Sequence, residues 1–315
     1  MAASSPSSSS PSTAPASTGA SSAARHGARG VAMVLLAAML WGTTGTAQSL
    51  APAGLSPYWV GALRLAVAAA FFAVLAGVLR QRGGRLAWPR VLAAGACVAV
   101  YNLSFFAGVK ASGVALGTAI AIGSAPIWAG LLQTVQLRRW PTPAWWAGTL
   151  LGVGGGVAMA LDGAAGGRGG ATVLGIALCL AAGLTYAGYT LLNKPLVEHA
   201  SAPTVNLAVF GTAAVLSVPA AGWLAGPLAL SAGTWVTVGY LGLVATGLAY
   251  LLFTSALRHI SGATGVTLAL GEPVTAFVLA VVVVGETPSV LSVAGLVAVL
   301  SGLLVVVWAE LRTAR

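Results

Sequence analysis

One carboxylate stands alone in a long apolar run. From Ser261 to Gly285 the chain reads SGATGVTLALGEPVTAFVLAVVVVG, and its single ionisable side chain, Glu272, directly precedes Pro273. Proline has no N–H, so a helix through Pro273 leaves the Ala269 carbonyl without its donor, and a polar break coincides with a titratable acid. Glu272 falls about eleven residues, roughly 16 Å, into this segment, near a bilayer midplane. An unpaired charge at that depth costs on the order of several kcal/mol, which marks it for function. Its chemistry is then reversible protonation, or binding of a substrate ammonium, or pairing with Arg64 or backbone N–H groups. Arg64, in GALRLAVAA, lies six residues, roughly 9 Å, into another apolar run, so the two depths agree within about 5 Å. A long side chain near a helix end can also snorkel to the headgroups.

Further polar and aromatic side chains recur inside apolar runs. Trp41, Thr44 and Gln48, at spacings of three and four, share one helical face. Tyr186 and Tyr189 share another, Tyr101 and Asn102 adjoin within a third run, and Tyr250 is deep in an eighth. Together they fit a cavity with aromatic walls and a few donors and acceptors, as small-molecule sites are built; singly, each also fits interhelical packing. Pro126, in GTAIAIGSAP, repeats the layout around Pro273 without the acid. At both breaks the freed carbonyls, of Ile122 and Ala269, are candidates to hold an ammonium or a cation. Gly148, Gly152 and Gly156 form a small-xxx-small series for close helix packing, within the chain or in a homodimer. Glu286, beside Thr287-Pro288 as an N-cap and first helical position, is a candidate surface ion pair with Lys110.

No catalytic set, metal or cofactor is expected. Cys97 and Cys179 each sit in an apolar run with no second Cys or His at ligand spacing. His26, His199 and His259 are expected in a cytoplasmic tail or loops, solvated. An intramembrane hydrolase needs paired acids, a metal-binding His set or a Ser with its base, whereas this chain buries one acid and no His.

Composition fixes the elements that must carry these residues. The 315 residues are 58% hydrophobic and 6% charged, with mean hydropathy +0.93, against about 25% charged in a soluble domain. Too few charges remain to cover a water-soluble surface. The net charge of +10 does not point to nucleic acid, because Lys and Arg sit in the short breaks between apolar runs rather than on one face. Residues 1–29 are expected as a disordered Ser/Pro/Ala-rich cytoplasmic tail. Ten runs of membrane-spanning length follow, near 31–50, 58–79, 91–109, 113–136, 143–161, 171–192, 203–225, 233–257, 261–284 and 289–309. With both termini cytoplasmic, the inside segments hold twelve of the 15 Lys and Arg, while the outside loops hold Lys110 and Arg168.

The ten runs divide into two equivalent fives. Pro126, Pro141, Gly148 and Gly155 align with Pro273, Pro288, Gly295 and Gly302 at one offset, and GVAMVLLAAMLWG from Gly30 aligns with GIALCLAAGLTYA from Gly175, which matches Trp41 to Tyr186. Five is odd, so the second unit enters the membrane upside down. The expected fold is an all-α integral membrane protein of ten transmembrane helices, built as two inverted repeats over residues 30–162 and 171–310, with a site between the halves.

Trp41-Gly42, Arg64 in GALRLAVAA, SAPIWAGLL from Ser124, LGEPVTAFVLAVVVVGE from Leu270 and GLVAVLSGLLVV from Gly295 resemble the drug/metabolite transporter superfamily, and within it the ten-helix EamA-type transporters. The resemblance covers residues 30 to 310. It implies a secondary transporter in the plasma membrane that exports amino acids or other small polar metabolites. Two departures stand out: Gly271 replaces the frequent Leu before Glu-Pro, and the first repeat has no acid at the matching position. Any proton-linked step therefore belongs to the second half. A non-transporting membrane scaffold or sensor shares the packing glycines, and saturable flux separates the two.

Overall fold

The computed structural model describes residues 17–49, 56–80, 84–112, 114–138, 140–164, 172–228, 231–285 and 287–313. Among them the regular structure is helical throughout, in ten long rods. These are α1 (Ser17–Ser49), α2 (Pro57–Val78), α3 (Trp88–Ser112), α4 (Val114–Leu137), α5 (Pro143–Ala164), α6 (Val173–His199) and α7 (Ala202–Ala225). The eighth, α8, joins Ala232–Tyr240, a π-helical stretch Leu241–Leu248, and Ala249–Ala256. The ninth, α9, joins Gly262–Leu268, Gly271–Leu279 and π-helical Ala280–Val284, and α10 is Val290–Thr313. Nine rods meet the length and hydropathy of a membrane span; α5, with 22 residues, is the tenth.

Packing follows a two-fold rule. Exchanging the halves turns the α3–α6 contact into α8–α1, α4–α6 into α9–α1, and α4–α5 into α9–α10, and all six occur. The α5–α10 and α2–α7 pairs map onto themselves. The glycines show the hand of the relation. A Cβ on Gly148 would meet the Gly302 carbonyl at 2.8 Å, and one on Gly155 would meet that of Gly295 at 2.5 Å. Because Gly148 corresponds to Gly295 and Gly155 to Gly302, each contact is the image of the other. Seven residues forward on α5 match seven back on α10, so the equivalent helices run antiparallel and the repeats are inverted.

Local differences from the expected elements have local causes. Helix α1 starts at Ser17, so the segment predicted as a disordered tail through residue 29 is helical from Ser17 onward. Helix α6 continues through Pro195 to His199, which places Lys194 and His199 in its last turns rather than in a loop. Helix α10 begins at Val290, with the Ser289 hydroxyl accepting from the Ser292 N–H (3.1 Å); Ser289, not Thr287, is the cap. Glu286 lies outside the described residues. Helix α9 ends at Gly285, whose φ of 80° suits a residue without a Cβ.

Candidate functional site

The two proline positions behave differently. Helix α4 passes through Pro126 unbroken, whereas α9 interrupts at Ala269–Leu270. There the Leu270 N–H donates to the Thr267 carbonyl (3.0 Å) and the Glu272 N–H to the Ala269 carbonyl (2.9 Å). The Ala269 oxygen, expected to be free for a ligand, is therefore taken by the tightened turn. What the break presents is the Glu272 side chain itself.

Glu272 borders a cavity of about 880 Å³ at the middle of the bundle, whose walls also carry Trp41, Thr44, Arg64, Tyr101, Tyr186 and Tyr250. Seven of the residues singled out in the sequence thus converge from α1, α2, α3, α6, α8 and α9. Gly42 lets two of these helices meet, since a Cβ there would meet the Glu272 carbonyl at 2.7 Å and Thr275 Cβ at 2.5 Å. The Trp-Gly pair accordingly places an indole on the cavity and the α9 break against α1. Arg64 is set by α2, against which the π-helical part of α8 lies closely at Gly242; such wide turns recur at functional sites.

Arg64 does not pair directly with Glu272. Its Nη2 donates to Asn102 Oδ1 (3.2 Å), so Asn102 stands behind the arginine and is itself 1% exposed. Three wall residues carry polar groups with no protein partner, Trp41 Nε1, Arg64 Nε and the Tyr186 hydroxyl; Asn102, expected in the lining, lies behind the wall, and its Nδ2 has none either. Buried donors without acceptors cost free energy unless a ligand or water completes them. They suit an acceptor-rich ligand beside Arg64, with Glu272 left for a cationic group.

The cavity extends to the end of the bundle marked by Ser56, Tyr58 and Lys110, which line it there. At its floor Trp41 packs on Tyr250 and Phe253, with ring centroids 5.0 and 5.4 Å apart, and meets its repeat-equivalent Tyr186 edge-on at 6.4 Å. Tyr189, expected in the lining, lies below this layer. Its hydroxyl accepts from Asn193 Nδ2 (3.2 Å), while Thr254 donates to Asn206 Oδ1 (2.8 Å).

Beyond the aromatic layer the far end is tied shut by groups the sequence did not single out. Lys194 Nζ donates to the carbonyls of Leu257 (2.8 Å) and Ile260 (3.0 Å). Arg258 donates to those of Val197 (2.8 Å) and Ala200 (2.6 Å). Glu310 accepts from the Ser261 N–H (3.0 Å) and from the Thr264 hydroxyl, and Gln133 accepts from the Ala263 N–H (3.1 Å). Their signal in the sequence was a polar residue near the end of an apolar run, indistinguishable there from a topology marker.

Gly148 and Gly152 lie in the α5–α10 crossing, where both approach Gly302 within the chain. A Cβ on Gly156 would meet nothing within 4 Å; Gly155 takes its place in the contact, because close positions recur every seven residues along this antiparallel pair. The side chain of Gln48 lies outside the described residues.

Comparison with known proteins agrees with this architecture. The chain is 37% identical over 279 residues to the uncharacterized transporter YwfM of Bacillus subtilis (strain 168), covering 87% of this chain and 92% of that one. It is 32% identical over 130 residues to the uncharacterized transporter YxxF of the same organism, 41% of each chain. One solved crystal structure superposes with a TM-score of 0.76 at 22% identity, over 91% of this chain and 99% of the other, which is a likeness of fold. Residues 28–161 and again 173–308 match one family description. With its two inverted repeats and multi-pass apolar helices, the chain belongs to the EamA-like transporter family.

Proposed function

We propose that the chain is a secondary active transporter of the cell membrane that exports amino acids or similar small zwitterions by alternating access, coupled to protons through Glu272. The observation that carries this reading is an asymmetry between equivalent ends. The α3–α4 end, at Val109 and Lys110, lines the cavity, whereas its counterpart, the α8–α9 end at Leu257–Ala263, is tied to α6, α4 and α10. Inverted repeats that exchange these two arrangements would expose the same site to either side.

The distribution of Lys and Arg supports a cytoplasmic position for the sealed end and for both termini. The site chemistry supports a zwitterion: Arg64 and the unpartnered donors meet a carboxylate, and Glu272 meets an ammonium. A proton and an ammonium cannot both occupy one carboxylate. Substrate bound from the cytoplasm is released outside when a proton takes its place, and the proton leaves on the return.

The test is flux of pooled labelled amino acids in proteoliposomes with an imposed pH gradient, comparing the native protein with Glu272→Gln. Gradient-stimulated flux should fall roughly tenfold or more in the variant, in line with loss of a hydrogen bond to a charged group. Equal flux in both proteins makes Glu272 structural, and no flux in the native protein removes the amino-acid reading.

A further inference from the structure

A second cavity, of about 340 Å³, lies between α4, α5, α9 and α10. Its walls include Gly123, Val153, Gly156, Met159, Phe277 and Val281, and it reaches Glu272 from the side of α9 away from α1. Thr118, Ile122, Glu272 and Ala276 line both cavities. The carboxylate therefore stands at a junction, with the chamber that carries Arg64 and the aromatic side chains on one side and a smaller, mainly aliphatic annex on the other. Glycine keeps the annex open: a Cβ at Gly156 would meet nothing within 4 Å, and one at Gly123 would make only ordinary contacts with Val153 (3.4 Å) and Val157 (3.6 Å). Neither glycine is needed for the α5–α10 crossing, which uses Gly148 and Gly155.

We propose that the annex takes the apolar side chain or tail of an amphipathic amine whose ammonium group sits on Glu272. The occupant follows from charge complementarity and shape. A molecule seated in the annex has one end against the half-buried Glu272 carboxylate, which selects a cationic head, and most of the rest against hydrocarbon, which selects an apolar body. This rests on the transport reading for its physiological substrate and narrows it from small zwitterions at large to those with a sizeable apolar group.

Binding of n-alkylamines from propylamine to nonylamine, followed by tryptophan fluorescence of the full chain in nanodiscs, tests it. Native affinity should rise about fourfold per methylene until the annex is filled. Gly156→Leu should abolish that increment while retaining the affinity for propylamine, and Gly123→Val should shorten the range over which it holds. Glu272→Gln should weaken every member alike and keep the increment. Comparison within one bilayer composition cancels partitioning into lipid. The same increment in native protein and both glycine variants overturns the proposal, as does absence of amine binding. Length-independent affinity, with phospholipid retained by native protein and released by Gly156→Leu, assigns the annex to an acyl chain and also overturns it. Flux is read separately: a length increment without flux of any amine or amino acid removes the transport reading and leaves the annex standing.

Discussion

Trp41 combines a packed ring with an unpartnered donor at the cavity. Its ring sits on Tyr250 and Phe253 while its Nε1–H, on a side chain only 8% exposed, has no protein acceptor. Trp41→Phe keeps most of the ring contact and deletes the donor. Substrate KM should rise roughly tenfold, as for loss of one buried hydrogen bond, with thermal stability changed little; an unchanged KM would show that substrate never reaches the indole. His259 gives a different residue-scale prediction. It lies between α8 and α9, half-buried, with its ring 5.7 Å from that of His26. Burial, and then the positive charges of Arg29, His26, Arg258 and Lys194, hold its imidazole below the usual value of 6.5. Above that value folded and unfolded chains are both neutral here, so nothing is lost. As the pH falls below it the unfolded chain takes the proton first, and stability declines toward the depressed folded value. Thermal melting from pH 7.5 to 5.5 should show this decline, and His259→Gln should flatten it.

At the scale of elements, the α5–α10 crossing is a close backbone contact and the α9 break presents the acid to the cavity. Backbone touches backbone at Gly148–Gly302 and Gly155–Gly295, an approach that lets dispersion hold helices together where lipid is as apolar as the side chains. Gly155→Leu should therefore cost about 1–3 kcal/mol or more, because its Cβ would meet a carbonyl that cannot move aside. Gly154→Leu, one position along with open space around it, should be tolerated. Melting temperatures of the two detergent-purified variants check the contrast, and equal losses would dismiss the crossing as a scaffold. The break in α9 adds a different property. Its turn satisfies its own backbone through the Glu272 N–H and the Ala269 carbonyl, so the acid can change protonation without leaving an orphaned peptide group.

For the whole molecule the proposed alternating access makes the balance between two arrangements of one inverted pair the quantity to measure. The seal at the α8–α9 end is built from charged donors on backbone carbonyls, and hydrogen bonds of that kind contribute about 1.5–3 kcal/mol each. Removing two of the groups, in Lys194→Met with Arg258→Met, should shift the equilibrium toward opening at that end by tenfold or more. A cysteine placed at Val266, which borders the cavity, reports it. Reaction with a membrane-impermeant maleimide should become faster from the α8–α9 side and slower from the Lys110 side. Labelling unchanged from both sides would mean that these bonds only decorate the end of the bundle.

Much of this was legible in the chain itself. Run length and charge scarcity dictate membrane helices, because a bilayer demands about twenty apolar residues per crossing. Repeated Pro and Gly positions dictate two units, and an odd number of crossings inverts them. Glu272 was visible because a charge deep in an apolar run is costly unless paired or used, whereas Trp41 and Tyr250, each of which alone also fitted interhelical packing, stood out only as members of a set. The sequence could not decide which partner each polar group would meet, since that depends on helix rotation and crossing angle. Arg64 turned to Asn102, Tyr189 sat below the aromatic layer against Asn193, Gly155 displaced Gly156 at the crossing, and the carbonyl expected to bind a ligand was taken by its own turn. Only tertiary packing, in which two equivalent halves settle into unequal arrangements, could place a cavity at one end and a lock at the other.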